Sequence, residues 1–261
     1  MEHIRPKKSL GQHFLNDPSV TRRIAEAVPA EPGDTVLEVG PGTGVLTAEL
    51  IHKYSRFRAV EIDRRAVSLL REKFPGIDLI QGDILELNAD ELLLGFERGE
   101  RAHVVGNLPY YITSQILFAL LSMRDRLKSA VVMMQKEVAE RIVADHGSRT
   151  YGILSVQLQL MSRPEILFDV PPGAFIPPPA VTSSVVRLFF DRPSLNCSDD
   201  NLKRVVRTAF QQRRKKLSNA LKPLGDLPNL PEFNFHDRPE AWPPRMYEKL
   251  TARLEQLGTL H

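Results

Sequence analysis

The sequence predicts an α/β fold in which a mostly parallel, seven-stranded sheet carries helices on both faces, followed by a small α-helical C-terminal domain. Short apolar runs alternate with amphipathic stretches through the first two-thirds of the chain, and a glycine-rich turn follows the first clear run. Strand–helix–strand alternation is typical of parallel sheets, because parallel strands need helical crossovers. Strand signals stop after Asp191-Arg192-Pro193. We therefore expect two domains, residues 1–192 and 193–261.

The predicted elements follow the apolar periodicity. Strands are expected at residues 35–39, 57–62, 78–81, 103–106, 129–135, 165–170 and 183–190. The last two are predicted to be edge strands, and the final one can pair either parallel or antiparallel with its neighbour. Helices are expected at residues 45–53, 64–73, 114–121, 201–221 and 244–257. The proline-rich segment 170–181 is predicted to be an extended loop, because proline cannot donate a helical hydrogen bond.

Composition indicates a globular protein without a membrane span. The chain has 261 residues, of which 42% are hydrophobic and 26% are charged. It contains no apolar run of about eighteen residues, and its basic N-terminus lacks the apolar segment of a secretory signal. The one cysteine, Cys197, has no Cys or His neighbour at metal-binding spacing. We expect a cytoplasmic monomer that binds no metal.

Positive charge is concentrated near the C-terminus. Residues 193–261 contain 12 Lys and Arg against 8 Asp and Glu, and residues 203–222 contain eight basic residues and no acid. This asymmetry favours a polyanionic partner such as RNA. A solvated helix face explains the charge alone equally well.

Three features at predicted strand ends indicate a nucleoside-binding site. The turn "EVGPGTG" has glycines at positions 40, 42 and 44, whereas a dinucleotide fingerprint needs a third glycine where Val45 stands. Glu61 ends the second strand 21 residues after Gly40, as expected for a carboxylate that binds ribose hydroxyls. Asp83 ends the third strand and can accept a hydrogen bond from an adenine amino group. The set suits a nucleoside without a pyrophosphate, and S-adenosylmethionine is the obvious candidate.

The motif Asn107-Leu108-Pro109-Tyr110 ends the fourth predicted strand at the same edge of the sheet. An exocyclic adenine amine is a poor nucleophile, because its lone pair is delocalised into the ring. An amide oxygen and a backbone carbonyl that accept from N6–H would direct this lone pair at a methyl donor, and proline would hold the carbonyl. The tyrosine offers a stacking face. Alone the motif could be a strand-ending turn, but the neighbouring nucleoside site favours base binding.

Nine segments, in this order, carry a family resemblance over almost the whole chain: "KKSLGQHFLND", "EVGPGTGVLT", "VEIDR", "QGDIL", "VVGNLPYYIT", "MMQKEVAERI", "YGILSVQ", "VPPGAFIPPPAVTSSVVRL" and "FQQRRKKLSNAL". The sequence resembles the rRNA adenine dimethyltransferases, the KsgA/RsmA family. The resemblance implies a Rossmann-like S-adenosylmethionine-dependent methyltransferase domain and a small helical RNA-binding domain. It also implies N6,N6-dimethylation of two adjacent adenosines in a hairpin near the 3′ end of 16S rRNA, with a role in small-subunit biogenesis.

The resemblance assigns roles to individual residues. The implied cofactor-binding residues are His13, Leu15, Gly40, Glu61, Asp83 and Asn107. The implied catalytic residues are Asn107, Leu108, Pro109, Tyr110 and Phe175, with core packing as an equal alternative for Phe175. The implied RNA-binding residues are Lys7, Lys8, Arg204, Arg207, Arg213, Arg214, Lys215 and Lys216. Many relatives have asparagine in place of His13, which leaves its side-chain contact open.

Two other functions remain open at this stage. The same adenine chemistry would serve a methyltransferase that acts on DNA or on another RNA. A ribosome-assembly factor without catalysis is the second alternative, although the intact Gly40, Glu61, Asp83, Asn107 and Tyr110 argue against it.

Overall fold

The computed structural model describes residues 6–7, 11–94, 96, 99–225 and 227–260. The chain divides into two compact units, one formed by Met1–Ala139 and Glu165–Phe190 and the other by Glu140–Pro164 and Asp191–His261. The chain passes between the units three times, and the boundary expected at residue 193 lies close to the third passage, at Phe190–Asp191. The helical unit also takes in Glu140–Pro164, because α7 (Ile153–Met161) packs against α8 (Asp199–Gln211) and α10 (Pro244–Gln256).

The first unit contains the predicted sheet, with seven strands in the order β4-β3-β2-β5-β6-β9-β7. Their bounds are β2 Thr35–Val39, β3 Arg56–Glu61, β4 Leu79–Gln81, β5 Ala102–Asn107, β6 Leu127–Gln135, β7 Arg163–Val170 and β9 Ser183–Phe189. The pairs β2–β3, β2–β5, β3–β4 and β5–β6 are parallel, and β6–β9 is antiparallel. The α/β fold with a mostly parallel sheet is therefore confirmed. The edge position expected for residues 183–190 is wrong, because β9 lies between β6 and β7.

A second, two-stranded sheet joins two distant loops. It pairs β1 (Phe14–Leu15) with β8 (Phe175–Ile176) in antiparallel register, with Leu15 opposite Phe175. The proline-rich loop is consequently not extended throughout, since it forms a 3₁₀ turn at Pro172–Ala174 before β8. Proline is acceptable in a first helical turn, where its missing N–H has no partner to lose.

The helices of the first unit connect and cover the strands. They are α1 Pro18–Ala27, α2 Val45–Leu50, α3 Arg64–Lys73, α4 Ala89–Leu92 and α5 Thr113–Ser122, and α6 (Lys136–Val143) begins in this unit. Asp17 caps α1 by accepting from the backbone N–H of Ser19 at 2.8 Å, and Asp63 caps α3. All five residues of β2 are buried, as expected for a strand covered on both faces.

The second unit is helical, and one predicted helix is divided. Residues 201–221 form α8, then a turn, then the short α9 (Leu217–Ala220). The break contains four consecutive cations, residues 213–216, whose mutual repulsion disfavours a continuous helix. Among the helices that the structure describes, none is long and apolar enough to cross a bilayer.

The strand order fixes where a ligand can bind. The chain runs from β2 outward through β3 to β4, and then returns to β5 on the other side of β2. The carboxyl ends of β2 and β5 therefore flank the point where strand order reverses, which is the usual ligand site of an open α/β sheet.

Candidate active site

A cavity of about 250 Å³ lies at this reversal point. Its walls come from five segments of the first unit: residues 11–15, the glycine turn after β2, the ends of β3 and β4, and the turn after β5. It brings together most of the predicted cofactor and catalytic residues, namely His13, Leu15, Gly40, Glu61, Asp83, Asn107, Leu108, Pro109 and Tyr110. Phe175 is not among the residues that line it.

The glycine turn requires glycine at two positions for steric reasons. Gly42 and Gly44 have φ of 56° and 77°, in the left-handed region that glycine adopts at no cost. A Cβ at Gly42 would lie 3.1 Å from the Phe14 ring, and one at Gly44 would lie 2.7 Å from the Phe74 ring. The turn therefore brings bare backbone to the cavity.

Glu61 is the most firmly held acid of the cavity. Its Oε1 accepts from the backbone N–H of Asp63 at 2.8 Å, and its Oε2 accepts from that of Gly42 at 3.0 Å. Burial raises the pKa of Glu61, and the two backbone donors partly oppose that rise. Each carboxylate oxygen has a further acceptor site, so the pair can still receive two hydroxyl donors.

Asp83 and two apolar side chains form the next part of the wall. Asp83 Oδ1 accepts from the backbone N–H of Leu85 at 2.9 Å, which fixes the turn after β4. Ile62 and Leu85 line the cavity although they are 50% and 37% exposed. Neither was predicted as a site residue. The sequence pattern that could have identified them is a large apolar residue one or two positions after each acid at a strand end.

Glu38 is a second acid that the sequence analysis did not select. It lines the cavity at 1% exposure, and Thr47 Oγ1 donates to its Oε2 at 2.6 Å. Burial raises the pKa of Glu38 to about 8, the Thr47 hydroxyl opposes the shift, and the nearby Glu61 charge adds to it. The carboxyl therefore holds a proton at neutral pH.

The Asn107-Leu108-Pro109 turn is held by hydrogen bonds on both sides. Asn107 Nδ2 donates to the backbone oxygen of His13 at 3.1 Å, and the Leu108 N–H donates to Met133 at 3.0 Å. Pro109 has φ −60° and ψ 130°, and its carbonyl accepts from Thr113 Oγ1 at 2.9 Å. The turn after β5 is thus rigid where it borders the cavity.

Tyr110 is fixed at its ring and at its hydroxyl. Its ring stacks on His13, with 5.5 Å between centroids and 23° between planes. Its hydroxyl lies 2.6 Å from Ser183 Oγ, and burial raises its pKa. Phe175 is 2% exposed and belongs to the core cluster, since the β1–β8 pairing turns it inward beside Leu15. Its position agrees with the core-packing alternative and not with a free stacking face.

The predicted RNA-binding residues differ in their surroundings. Six are exposed, namely Lys7 in the N-terminal segment, Arg204 and Arg207 on α8, and Arg214, Lys215 and Lys216 between α8 and α9. Arg213 is instead anchored within the helical unit, donating to the Ser148 carbonyl at 3.1 Å and lying 3.7 Å from a Glu240 oxygen. Lys7 lies 3.9 Å from Asp63, and Lys8 is outside the described residues. In the described part of the chain, no cluster of three His, Cys, Asp or Glu could hold a metal.

Comparisons with known proteins agree with this geometry. Residues 4–238 match the family described as ribosomal RNA adenine dimethylase. The chain is 51% identical to the ribosomal RNA small subunit methyltransferase A of Salinibacter ruber, over 84% of this chain and 74% of that protein. It is 45% identical to the protein of the same name from Porphyromonas gingivalis, over 98% and 100%.

Two solved structures extend the comparison to the fold. A dimethyladenosine transferase from Plasmodium falciparum superposes with a TM-score of 0.78 at 26% identity, covering 94% of this chain and 98% of the other. The 23S rRNA methyltransferase ErmE superposes with a TM-score of 0.66 at 27% identity, covering 93% and 100%. With a rigid Asn-Leu-Pro-Tyr turn beside a nucleoside-sized cavity, and a match over nearly its full length, the chain belongs to the ribosomal RNA adenine dimethylase family.

Proposed function

We propose that this enzyme methylates N6 of two adjacent adenosines in a hairpin near the 3′ end of 16S rRNA, in the small ribosomal subunit, and gives N6,N6-dimethyladenosine. Its substrate is ribosomal RNA, as its family membership and its relatives indicate. One observation carries the proposal: the turn that presents Asn107 and Tyr110 borders the same cavity as the glycine turn, Glu61 and Asp83.

S-adenosylmethionine is the cofactor, and the donor set of the cavity fits it. Glu61 has two oxygens that can accept the ribose hydroxyls, and Asp83 can accept from the adenine amino group. Ile62 and Leu85 offer apolar surface to the flat adenine ring. When bound, the cofactor supplies an electrophilic methyl group on a sulfonium sulfur.

Asn107 and Leu108 activate the target amine in this proposal. The His13 carbonyl can only accept, so it fixes the Asn107 amide with its NH₂ toward residue 13 and leaves Oδ1 as an acceptor for N6–H. The Leu108 carbonyl, held by Pro109, is the second acceptor. Together they localise the N6 lone pair toward the donor. As N6 gains the methyl group, the methyl–sulfur bond would break and the sulfur would leave as a neutral thioether. N6 would lose its proton to water, so the enzyme needs no strong base.

Tyr110 binds the target base after it leaves its stack. Extraction costs a few kcal/mol, and stacking on an aromatic ring recovers about 1–3 kcal/mol. Because the His13 ring covers one face of the Tyr110 ring, the target base stacks on the other face. The second methylation needs the same pocket to accept a monomethylated amine.

The exposed cations of the helical unit contact RNA phosphates in this proposal. Phosphate contacts position an RNA without reading its sequence, so selectivity comes from RNA shape and splayed bases. Arg204, Arg207, Arg214, Lys215 and Lys216 are exposed and suited to this role, whereas Arg213 is anchored to Ser148 and Glu240. We further propose that the enzyme works in the cytoplasm as a monomer and assists small-subunit biogenesis.

The test uses small ribosomal subunits from a strain that lacks this modification. They are incubated with the protein and isotopically labelled S-adenosylmethionine, and the nucleosides are identified by mass spectrometry. Labelled N6,N6-dimethyladenosine in 16S rRNA is the expected result. Label in monomethyladenosine alone, or in DNA in preference to subunits, would contradict the proposal.

Asn107→Ala tests the chemistry within the same assay. It should abolish methyl transfer and leave cofactor binding largely intact, because the amide acts on the target amine. Turnover equal to that of the unmodified protein would remove Asn107 from the mechanism. Tight binding of the unmodified protein to subunits without any transfer would instead favour a non-catalytic assembly factor.

A further inference from the structure

We propose that His13 is a positioning residue that fixes the Asn107 amide and the Tyr110 ring in one arrangement, an inference that rests on the function proposed above. His13 stands in the N-terminal segment, 94 residues before Asn107. Its imidazole ring supplies two contacts within the site, and its backbone oxygen supplies a third.

His13 contacts three residues in two separate segments of the site. Its backbone oxygen accepts from Asn107 Nδ2 at 3.1 Å, and its ring stacks on Tyr110. Its Nδ1 lies 2.8 Å from the carbonyl oxygen of Pro177, in the proline-rich loop. Because a carbonyl oxygen only accepts, Nδ1 must carry the proton in this contact, which sets the tautomer and the orientation of the ring.

The orientation of the Asn107 amide follows from the same argument. A rotated amide would place Oδ1 against the His13 carbonyl, where two acceptors would face each other without a proton. The NH₂ group must therefore point to residue 13, and Oδ1 stays available to the target amine. Because the proline-rich loop holds the His13 ring, it also holds the His13 backbone oxygen that fixes the orientation of the Asn107 amide.

Tyr110 is held from two directions by this arrangement. The His13 ring covers one face, and Ser183 fixes the hydroxyl at 2.6 Å. Ser183 is fully buried, so the hydroxyl end of the ring is anchored in the core. With both constraints the ring presents its remaining face in a single orientation. An asparagine at position 13 could replace the hydrogen bond to Pro177 but not the ring contact.

The first measurement does not depend on activity. The side-chain amide signals of Asn107 are followed by NMR in the full-length protein and in His13→Ala, His13→Asn and His13→Phe, with exposed His52→Ala as the matched control. In His13→Ala the signals should move toward those of a free asparagine, and in His52→Ala they should stay in place. Unchanged signals in His13→Ala would overturn the inference. If His13→Ala does not fold, His13→Phe, which keeps the ring contact but loses the Pro177 bond, must shift the signals in the same direction.

The second measurement separates positioning from cofactor contact. His13→Ala should lower kcat roughly tenfold to a hundredfold, as expected for misplaced reacting groups, while the Kd of S-adenosylmethionine changes less than about twofold. In a Tyr110→Ala background the same substitution should have a much smaller effect, because residues that act through each other are not additive. A raised cofactor Kd with unchanged kcat would overturn the inference and make His13 a cofactor ligand. If the unmodified protein transfers no methyl group, the proposed function fails, and the NMR result still decides the role of His13.

Discussion

Glu38 holds a proton inside the fold, so its replacement by glutamine should stabilise the protein as pH rises. The side chain is 1% exposed, and the Thr47 hydroxyl donates to it. Glutamine has the same shape and keeps an acceptor for Thr47, but it cannot ionise. Glu38→Gln therefore removes the cost of a buried charge without leaving a cavity.

The magnitude follows from the pKa of Glu38, which burial raises from 4.5 to about 8. A carboxyl whose pKa is raised in the folded state binds its proton more tightly there than in the unfolded state. Its contribution to the free energy of unfolding is therefore fully present below pH 4.5 and is lost as pH rises toward 8. Each unit of this difference is worth about 1.4 kcal/mol. Relative to the unmodified protein, Glu38→Gln should gain on the order of 4 kcal/mol in free energy of unfolding at pH 8 and above, and almost nothing below pH 5.

Urea denaturation at several pH values between 5 and 9 measures this difference directly. Glu49→Gln is the matched control, because Glu49 is an exposed carboxylate on α2, and its replacement should change little at any pH. A stability difference for Glu38→Gln that does not depend on pH would refute the reasoning. So would a variant that is less stable than the unmodified protein at pH 9.

Three further substitutions test other parts of the structure. Glu61→Gln should raise the Kd of S-adenosylmethionine, measured by calorimetry, by roughly 10- to 150-fold, because hydrogen bonds to a charged group are worth about 1.5–3 kcal/mol. An unchanged Kd would show that Glu61 does not bind the ribose. Gly106→Ala should lower the free energy of unfolding, measured by thermal denaturation, by about 1–3 kcal/mol, because its Cβ would lie 2.5 Å from the Val39 carbonyl oxygen. A variant as stable as the unmodified protein would contradict that close approach. Replacing Arg214 and Lys215 with glutamine should flatten the dependence of log affinity for small subunits on log salt by about 0.7–0.9 per lost phosphate contact, and an unaltered slope would mean that neither touches RNA.

The sheet could be predicted closely because its strands carry local signals. β2 is apolar at Val36, Leu37 and Val39 and buried at all five positions, as expected for a strand covered on both faces, and its expected bounds are the observed ones. Exposed and buried residues alternate along α3 with the period of a helix, and the observed bounds of α3 are the expected ones. Glu61 and Asn107 were found for a related reason. Polar residues at the carboxyl ends of parallel strands must meet at one edge of the sheet.

The features that were not predicted depend on contacts between distant segments. α7 is buried on nearly all sides, and its residues 154–160 alternate between apolar and polar with the period of a strand, so its sequence does not identify it as a helix. The pairing of Leu15 with Phe175 joins two loops 160 residues apart, and it decides that Phe175 is buried. Arg213 is one of four adjacent cations, and only its distant contacts distinguish it from its neighbours.

The comparisons also bear on where RNA selectivity arises. A dimethyladenosine transferase and a 23S rRNA methyltransferase share this fold over almost their entire chains. The 23S rRNA methyltransferase and the relatives named ribosomal RNA small subunit methyltransferase A have names that indicate different RNA targets, so the fold cannot itself select the RNA. In the proposed mechanism the turn from Asn107 to Tyr110 binds one adenine, and any accessible adenine satisfies it. Selection must therefore come from surfaces that fit the shape of one RNA. In this chain the exposed cations around the break between α8 and α9 are the first such surface to test, because phosphate contacts set the position of an RNA although they do not read its sequence.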